Sequence, residues 1–144
     1  MVRFFPLLLL ALLACGDAPT EPNAHAAAES TGRRRPARPI AGEYFTIRVV
    51  DEDFQIFATN SATIQLLREN FEGKNSMHPS GRIALGNAGL DHPWNFHYIP
   101  DQVGMSDFSI EVCDGKPSYV SENPEQYLQV GWCPWMAKVV KVGR

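Results

Sequence analysis

The chain has 144 residues, 44% of them hydrophobic, with thirteen Lys or Arg, sixteen Asp or Glu and three cysteines. Residues 43 to 144 hold eight of the basic residues and thirteen of the acidic ones, a net charge of −5. A nucleic-acid partner is therefore excluded, because phosphate contact needs a basic face and no run of Lys and Arg interleaved with aromatics occurs.

The opening "MVRFFPLLLLALLACG" has one arginine and then an apolar run from Phe4 to Ala14, too short to span a bilayer as a permanent helix. It reads as a secretory signal. Leu12-Leu13-Ala14-Cys15 resembles a bacterial lipobox, which implies that residues 1–14 are removed and Cys15 is acylated, fixing the protein to a membrane of the cell envelope outside the cytoplasm. An ordinary cleavage site nearby, releasing a soluble protein, is the alternative. Residues 15–42 are rich in Ala, Pro, Thr and Glu, with no apolar period, and read as a disordered tether. Arg33, Arg34, Arg35 and Arg38 lie in it, either against anionic lipid or as part of a solvated spacer.

Residues 43–144 are one domain's worth, near the size at which an added cross-link matters for stability. "YFTIRVV" alternates Phe45, Ile47 and Val49 against polar neighbours, and "FQIFA" repeats the pattern with Phe54, Ile56 and Ala58, so residues 44–58 form a hairpin. Asp51-Glu52-Asp53 between them lacks the ligand ladder and glycine of a calcium loop and reads as a solvated turn. "TNSATIQLLRENFEG" switches to a helical period, with Asn60 or Ser61 as N-cap, Ile64, Leu67 and Phe71 on the buried face and Gly73 as the stop. A short strand spans Ile83 to Leu85, and the glycines after it do not match a phosphate-binding fingerprint.

"HPWNFHYIPDQVGMSDFSIEVCDG" contains two alternating stretches joined at Pro100 and Gly104. If they pair with Trp94, Phe96, Tyr98, Phe108, Ile110 and Val112 inward, a polar row of Asn95, His97, Ser109, Glu111 and Cys113 forms across them. Residues 116–129 carry one or two helical turns broken at Asn123-Pro124, and "WMAKVVKV" closes the domain as a strand. The order implies an α+β domain, a small antiparallel sheet with one or two short helices packed on one side.

Three phrases, "PWNFHYIPDQV", "IEVCDGKPSYVSEN" and "WCPWMAKVV", resemble the N-terminal domain of calmodulin-binding-protein-like proteins, a small module of secreted bacterial and amoebal proteins. The match runs from about residue 44 to 142 and rests on Trp94, His97, Glu111, Cys113, Asp114, Tyr119, Trp132, Cys133 and Trp135; the surroundings of Ile99 depart from it. The resemblance implies the domain but no established reaction. Calmodulin is not expected as a partner, since its targets are basic amphipathic helices and the basic run here is broken by proline.

With Cys15 acylated, Cys113 and Cys133 remain as a disulfide, a buried free pair, or a metal or redox pair. A disulfide closing about twenty residues contributes roughly 3 kcal/mol. Trp94, Trp132 and Trp135 are expected as an aromatic cluster around that corner. His97, Glu111, Asp114, Ser109 and Asn95 form the candidate polar site, with a general base, its carboxylate and a nucleophile as the catalytic reading and a structural histidine–carboxylate bond as the plain one. Zinc on Asp91, His92 and His97 lacks firm ligand spacing, and no cofactor or metal is expected. Three function classes follow. The first is a lipid-anchored, non-catalytic module binding a protein or envelope polymer. The second is a proteinase-inhibitor-like module displaying Asn87–Pro93 or Pro100–Ser106, and the third a hydrolase using His97 and Glu111.

Overall fold

In the computed structural model, which describes residues 40–144, the first two apolar alternations form strands β1 (Glu43–Val49) and β2 (Glu52–Ala58). The expected leader, Cys15 and the expected tether as far as residue 39 lie outside the described residues. Phe45 pairs with Ile56 and Ile47 with Phe54, and all four are fully buried, so the hairpin register is set by its apolar face. The closing strand β5 (Lys138–Val142) pairs antiparallel with the other side of β1, giving the order β2-β1-β5. A second antiparallel sheet consists of β3 (His78–Leu85) and β4 (Phe96–Ser106).

The acids expected as a solvated turn are engaged by neighbours. The turn itself is Val50-Asp51. The Asp51 carboxylate meets Lys116 at 2.7 Å, Asp53 is held by Arg48 at 2.7 and 2.9 Å, and Glu52 accepts from the Ser118 hydroxyl (2.7 Å) and N–H (2.8 Å). Burial pushes the Glu52 carboxyl up, but the Ser118 bonds and Lys116 overcome it and leave its pKa below the ordinary value.

Helix α1 (Ser61–Phe71) starts as expected, with Asn60 Oδ1 accepting from the N–H of Ala62 and Thr63 at 3.0 and 3.2 Å, and the backbone turns at Gly73 with φ +73°. Its buried face differs from expectation: Thr63, Leu67 and Asn70 point inward while Phe71 is 49% exposed. Hydrogen bonds account for the inward place of Asn70. Its Nδ2 donates to Met77 O at 2.7 Å and its Oδ1 accepts from Val139 N at 3.0 Å, which ties the helix end to β5.

The largest correction lies after residue 94. Residues 96–106 are one continuous strand, and it pairs with β3, not with the segment that follows. Pro100 fits because only Arg82 separates Gly81 from Ile83 on β3, whereas four residues separate their partners Val103 and Tyr98. The bulge absorbs a residue with no N–H to donate. Residues 107–113 then turn back as a bend and a 3-10 turn (Glu111–Cys113), so Phe108, Ile110 and Val112 are exposed and the polar row across a hairpin does not form. The break at Asn123-Pro124 is observed between α2 (Pro117–Glu122) and α3 (Pro124–Val130). The fold is α+β, with two small sheets and three short helices.

Between the sheets lies an aromatic core. The Phe54 ring stacks on Phe96 at 4.8 Å and meets Trp132 and Tyr98 edge-on at 4.9 and 6.0 Å. Trp132, fully buried, stacks on Tyr98 at 5.2 Å.

Val50, 63% exposed, holds φ 59°, a left-handed conformation that a β-branched residue adopts at a cost. Val50→Asn is expected to raise unfolding stability by about 1 kcal/mol, read by urea denaturation. An unchanged midpoint would show that the turn carries no such strain.

Candidate functional site

Cys113 and Cys133 form a disulfide, with their Cα atoms 5.2 Å apart and the Cys133 N–H donating to Cys113 O at 2.8 Å. The bond fastens the 3-10 turn to the segment 131–134, which crosses β3 by a two-way exchange: Gly81 N donates to Trp132 O at 3.0 Å and Trp132 N to Gly81 O at 2.9 Å. Both glycines at this crossing are required by space. A Cβ on Gly81 would lie 2.3 Å from Gln102 O, and one on Gly131, where φ is +88°, 2.7 Å from Gly81 O.

Beside the disulfide is an open groove of about 460 Å³ whose walls include Phe108, Ile110, Cys113, Val130, Trp132 and Cys133. Phe108 is 72% exposed, Ile110 56% and Val130 49%, while Arg82, Gln102 and Ser106 supply polar lining. The Arg82 guanidinium donates to Gln129 O at 2.8 Å. Exposed apolar side chains gathered at one corner mark a contact surface more strongly than the same residues scattered singly.

The residues singled out in the sequence are spread over several elements. His97, on β4, places Nδ1 2.6 Å from Gly86 O. Asn95 Oδ1 accepts from the Ser121 hydroxyl at 2.7 Å, at α2. Glu111 is exposed on the 3-10 turn, and Asp114 Oδ1 accepts from Trp135 N at 3.0 Å. Ser109 is the one member of that set lining the groove, and its partner is His78, absent from the sequence reading.

His78 is buried, and its Nε2 contacts the Ser109 hydroxyl oxygen, while that hydroxyl donates to Cys133 O at 3.1 Å. Which of the two atoms donates in that contact depends on the imidazole tautomer. The contacts tie Ser109, on the groove wall, to the start of β3 and to Cys133. No signal in the sequence marked His78, which stands at a strand start next to Pro79.

Trp94, Trp132 and Trp135 do not cluster. Trp132 lies in the core and donates from Nε1 to Gly115 O at 2.8 Å; Trp94 donates to Asp53 O at 2.9 Å at the edge of β2; Trp135 is 46% exposed. The zinc set is likewise dispersed, since His92 stacks on Phe54 at 4.3 Å and His97 faces Gly86. Among the described residues no three His, Cys, Asp or Glu side chains converge as a metal site. Nor is any described helix long and apolar enough to cross a membrane.

Burial, more than any charge, holds the His78 and His92 imidazoles below their ordinary pKa of 6.5. In the unfolded chain both protonate near 6.5, whereas the folded protein keeps them neutral to lower pH. Their contribution is thus complete above about pH 7 and is lost as pH falls through the lowered values. The melting temperature is expected to drop as pH falls below about 7, and His78→Gln to flatten part of that slope. A slope unaltered by the substitution would remove His78 from the account.

Reduction of Cys113–Cys133, which closes a span of 20 residues, is expected to cost about 3 kcal/mol in the chain-entropy account, read as a lower denaturation midpoint in reductant. A change below about 1 kcal/mol would mean that the strand crossing at Gly81 holds this corner without the bond.

The family model of the BP-74 N-terminal domain, the calmodulin-binding-protein-like module expected from the sequence, matches residues 41–144, and the chain belongs to that family. No curated protein and no solved structure matches it.

Proposed function

We propose that this member of the family is a non-catalytic binding module, held outside the cytoplasm of a bacterium by acyl chains on Cys15, that takes an apolar segment of a partner protein into the groove beside Cys113–Cys133. The observation that carries the reading is the open groove walled by Phe108, Ile110 and Val130, all exposed, on a base made rigid by the disulfide and the Gly81–Trp132 crossing. A rigid wall loses little conformational freedom on binding, which favours recognition by a small surface. The leader and the Leu12-Leu13-Ala14-Cys15 pattern support the anchoring half of the proposal.

The hydrolase reading loses its geometric premise, since His97 and Glu111 stand on separate elements, His97 against Gly86 O and Glu111 exposed on the 3-10 turn. The inhibitor-like reading keeps one of its two loops. Pro100–Ser106 lies within β4, but Asn87–Pro93 is a loop, exposed except at Leu90 and His92, braced by Asn87 Oδ1 accepting from Gly89 N at 3.1 Å and by Asp91 N donating to Gln55 Oε1 at 2.8 Å.

The test is enrichment of a random peptide library on the wild-type protein and on a Phe108→Asp, Ile110→Asp variant, with melting temperatures measured alongside. Both side chains are exposed, so the variant is expected to retain its stability within about 1 kcal/mol of wild type yet lose roughly tenfold or more in enrichment of apolar peptides. The same enrichment from both proteins places binding elsewhere. Palmitate labelling that vanishes in Cys15→Ser tests the anchor independently.

A further inference from the structure

The charge of the domain is strongly partitioned. Residues 43–144 carry eight cations and thirteen acids, yet the face of the β2-β1-β5 sheet turned away from the core is basic. Arg48 and Lys138 are Cα partners on it, and Lys141 lies opposite Thr46. Arg144 follows the strand, with its guanidinium 4.5 Å from the centre of the Tyr44 ring and one bond to Gly89 O at 3.2 Å. Half of the domain's cations therefore occupy this face. Its acids are Asp53, already bound to Arg48, and Asp91 at the β2 edge. Glu43 and Glu52 turn to the other side, where they meet Arg68 and Ser118. Among the described residues, Lys138, Lys141 and Arg144 form no salt bridge.

The same face stands where the preceding chain enters. β1 begins at Glu43 beside the end of β5, as the Gly143 N–H donating to Tyr44 O at 2.7 Å shows. In sequence, Arg33, Arg34, Arg35 and Arg38 come immediately before that point. Eight of the chain's thirteen basic residues thus belong to the entry segment or to this face.

We infer that the basic face of the β2-β1-β5 sheet rests on an anionic phospholipid surface, orienting the domain on its membrane. The inference draws on the proposed Cys15 anchor to bring the face to the lipid. Charge complementarity and the point of chain entry select the occupant: an anionic leaflet attracts each nearby Lys or Arg by a factor of about five, and the anchor makes that attraction intramolecular.

The test uses the full chain, reconstituted into vesicles of phosphatidylcholine alone or with phosphatidylglycerol as minor component. A water-soluble amine-acylating reagent is applied and the rate at each lysine is read by mass spectrometry. Lys116, held by Asp51 at the turn end of the hairpin, is the internal reference. Lys138 and Lys141 are expected to react about fivefold more slowly than Lys116 predicts in the anionic vesicles alone, with the difference removed by high salt. The variant Lys141→Glu, Arg144→Glu, at exposed positions, is expected to free Lys138. Equal rates in the two vesicle types overturn the inference, as does shielding by dissolved polyglutamate with none from the anionic vesicles. Flotation with phosphatidylcholine vesicles reports the anchor separately. If the protein stays soluble there, the anchoring reading fails, and shielding of Lys138 and Lys141 on added anionic vesicles still decides this one.

Discussion

The burial of Trp132 is the constraint on which the other parts depend. Its ring packs against Phe54 from one sheet and Phe96 and Tyr98 from the other, so a single side chain fills the gap between two sheets of two and three strands. The two-stranded sheet is not large enough to be stable alone, and the shared aromatic layer supplies the missing burial. The polar atoms around the indole are satisfied at the same time. Nε1 donates to Gly115 O, the backbone exchanges two bonds with Gly81, and Trp132 O also accepts from the Tyr98 hydroxyl at 3.1 Å. A buried polar group without a partner costs about 1–3 kcal/mol, so these bonds select this position for the indole as firmly as packing does.

From that anchorage the groove follows. Trp132 can reach the core only if residues 131–132 lie directly on β3, which is why Gly81 and Gly131 leave no room for a Cβ. Cys133 follows, itself buried, and the disulfide draws the 3-10 turn to it. The chain from Asp107 to Val112 then spans the distance from the end of β4 to Cys113 with no strand to pair with, and its apolar side chains face solvent. The His78–Ser109–Cys133 contacts brace that span from beneath. Core and groove are two sides of one backbone crossing.

How far the sequence could be read depends on whether its signals were local. The first hairpin, the Asn60 cap, the Gly73 turn, the break at Pro124 and the closing strand all came from residues acting on their immediate neighbours, and all are present. Asn70 was missed because its inward place depends on Val139, far along the chain, while Phe71 looked the better core residue by type. Pro100 and Gly104 were read as a loop because a bulge is invisible without the partner strand. The candidate site suffered most, since its supposed polar row required a hairpin in whose place β4 pairs with β3 and residues 107–113 turn back without a strand. His97, Asn95 and Asp114 proved to be bonded to nearby backbone or side chains, each in its own corner.

The misread stretch is also the informative one. "FSIEV" has the period of two that normally denotes a strand with a buried face, yet Phe108 and Ile110 stand in solvent. Apolar side chains gathered in solvent at one corner are not explained by stability, because they would stabilise the domain more if covered. Polar substitutions would be tolerated at such exposed positions without loss of folding. Apolar residues on a wall that the disulfide makes rigid are accounted for by the contact surface proposed above. The failed strand assignment and the exposed groove are thus the same observation, seen first along the chain and then in space.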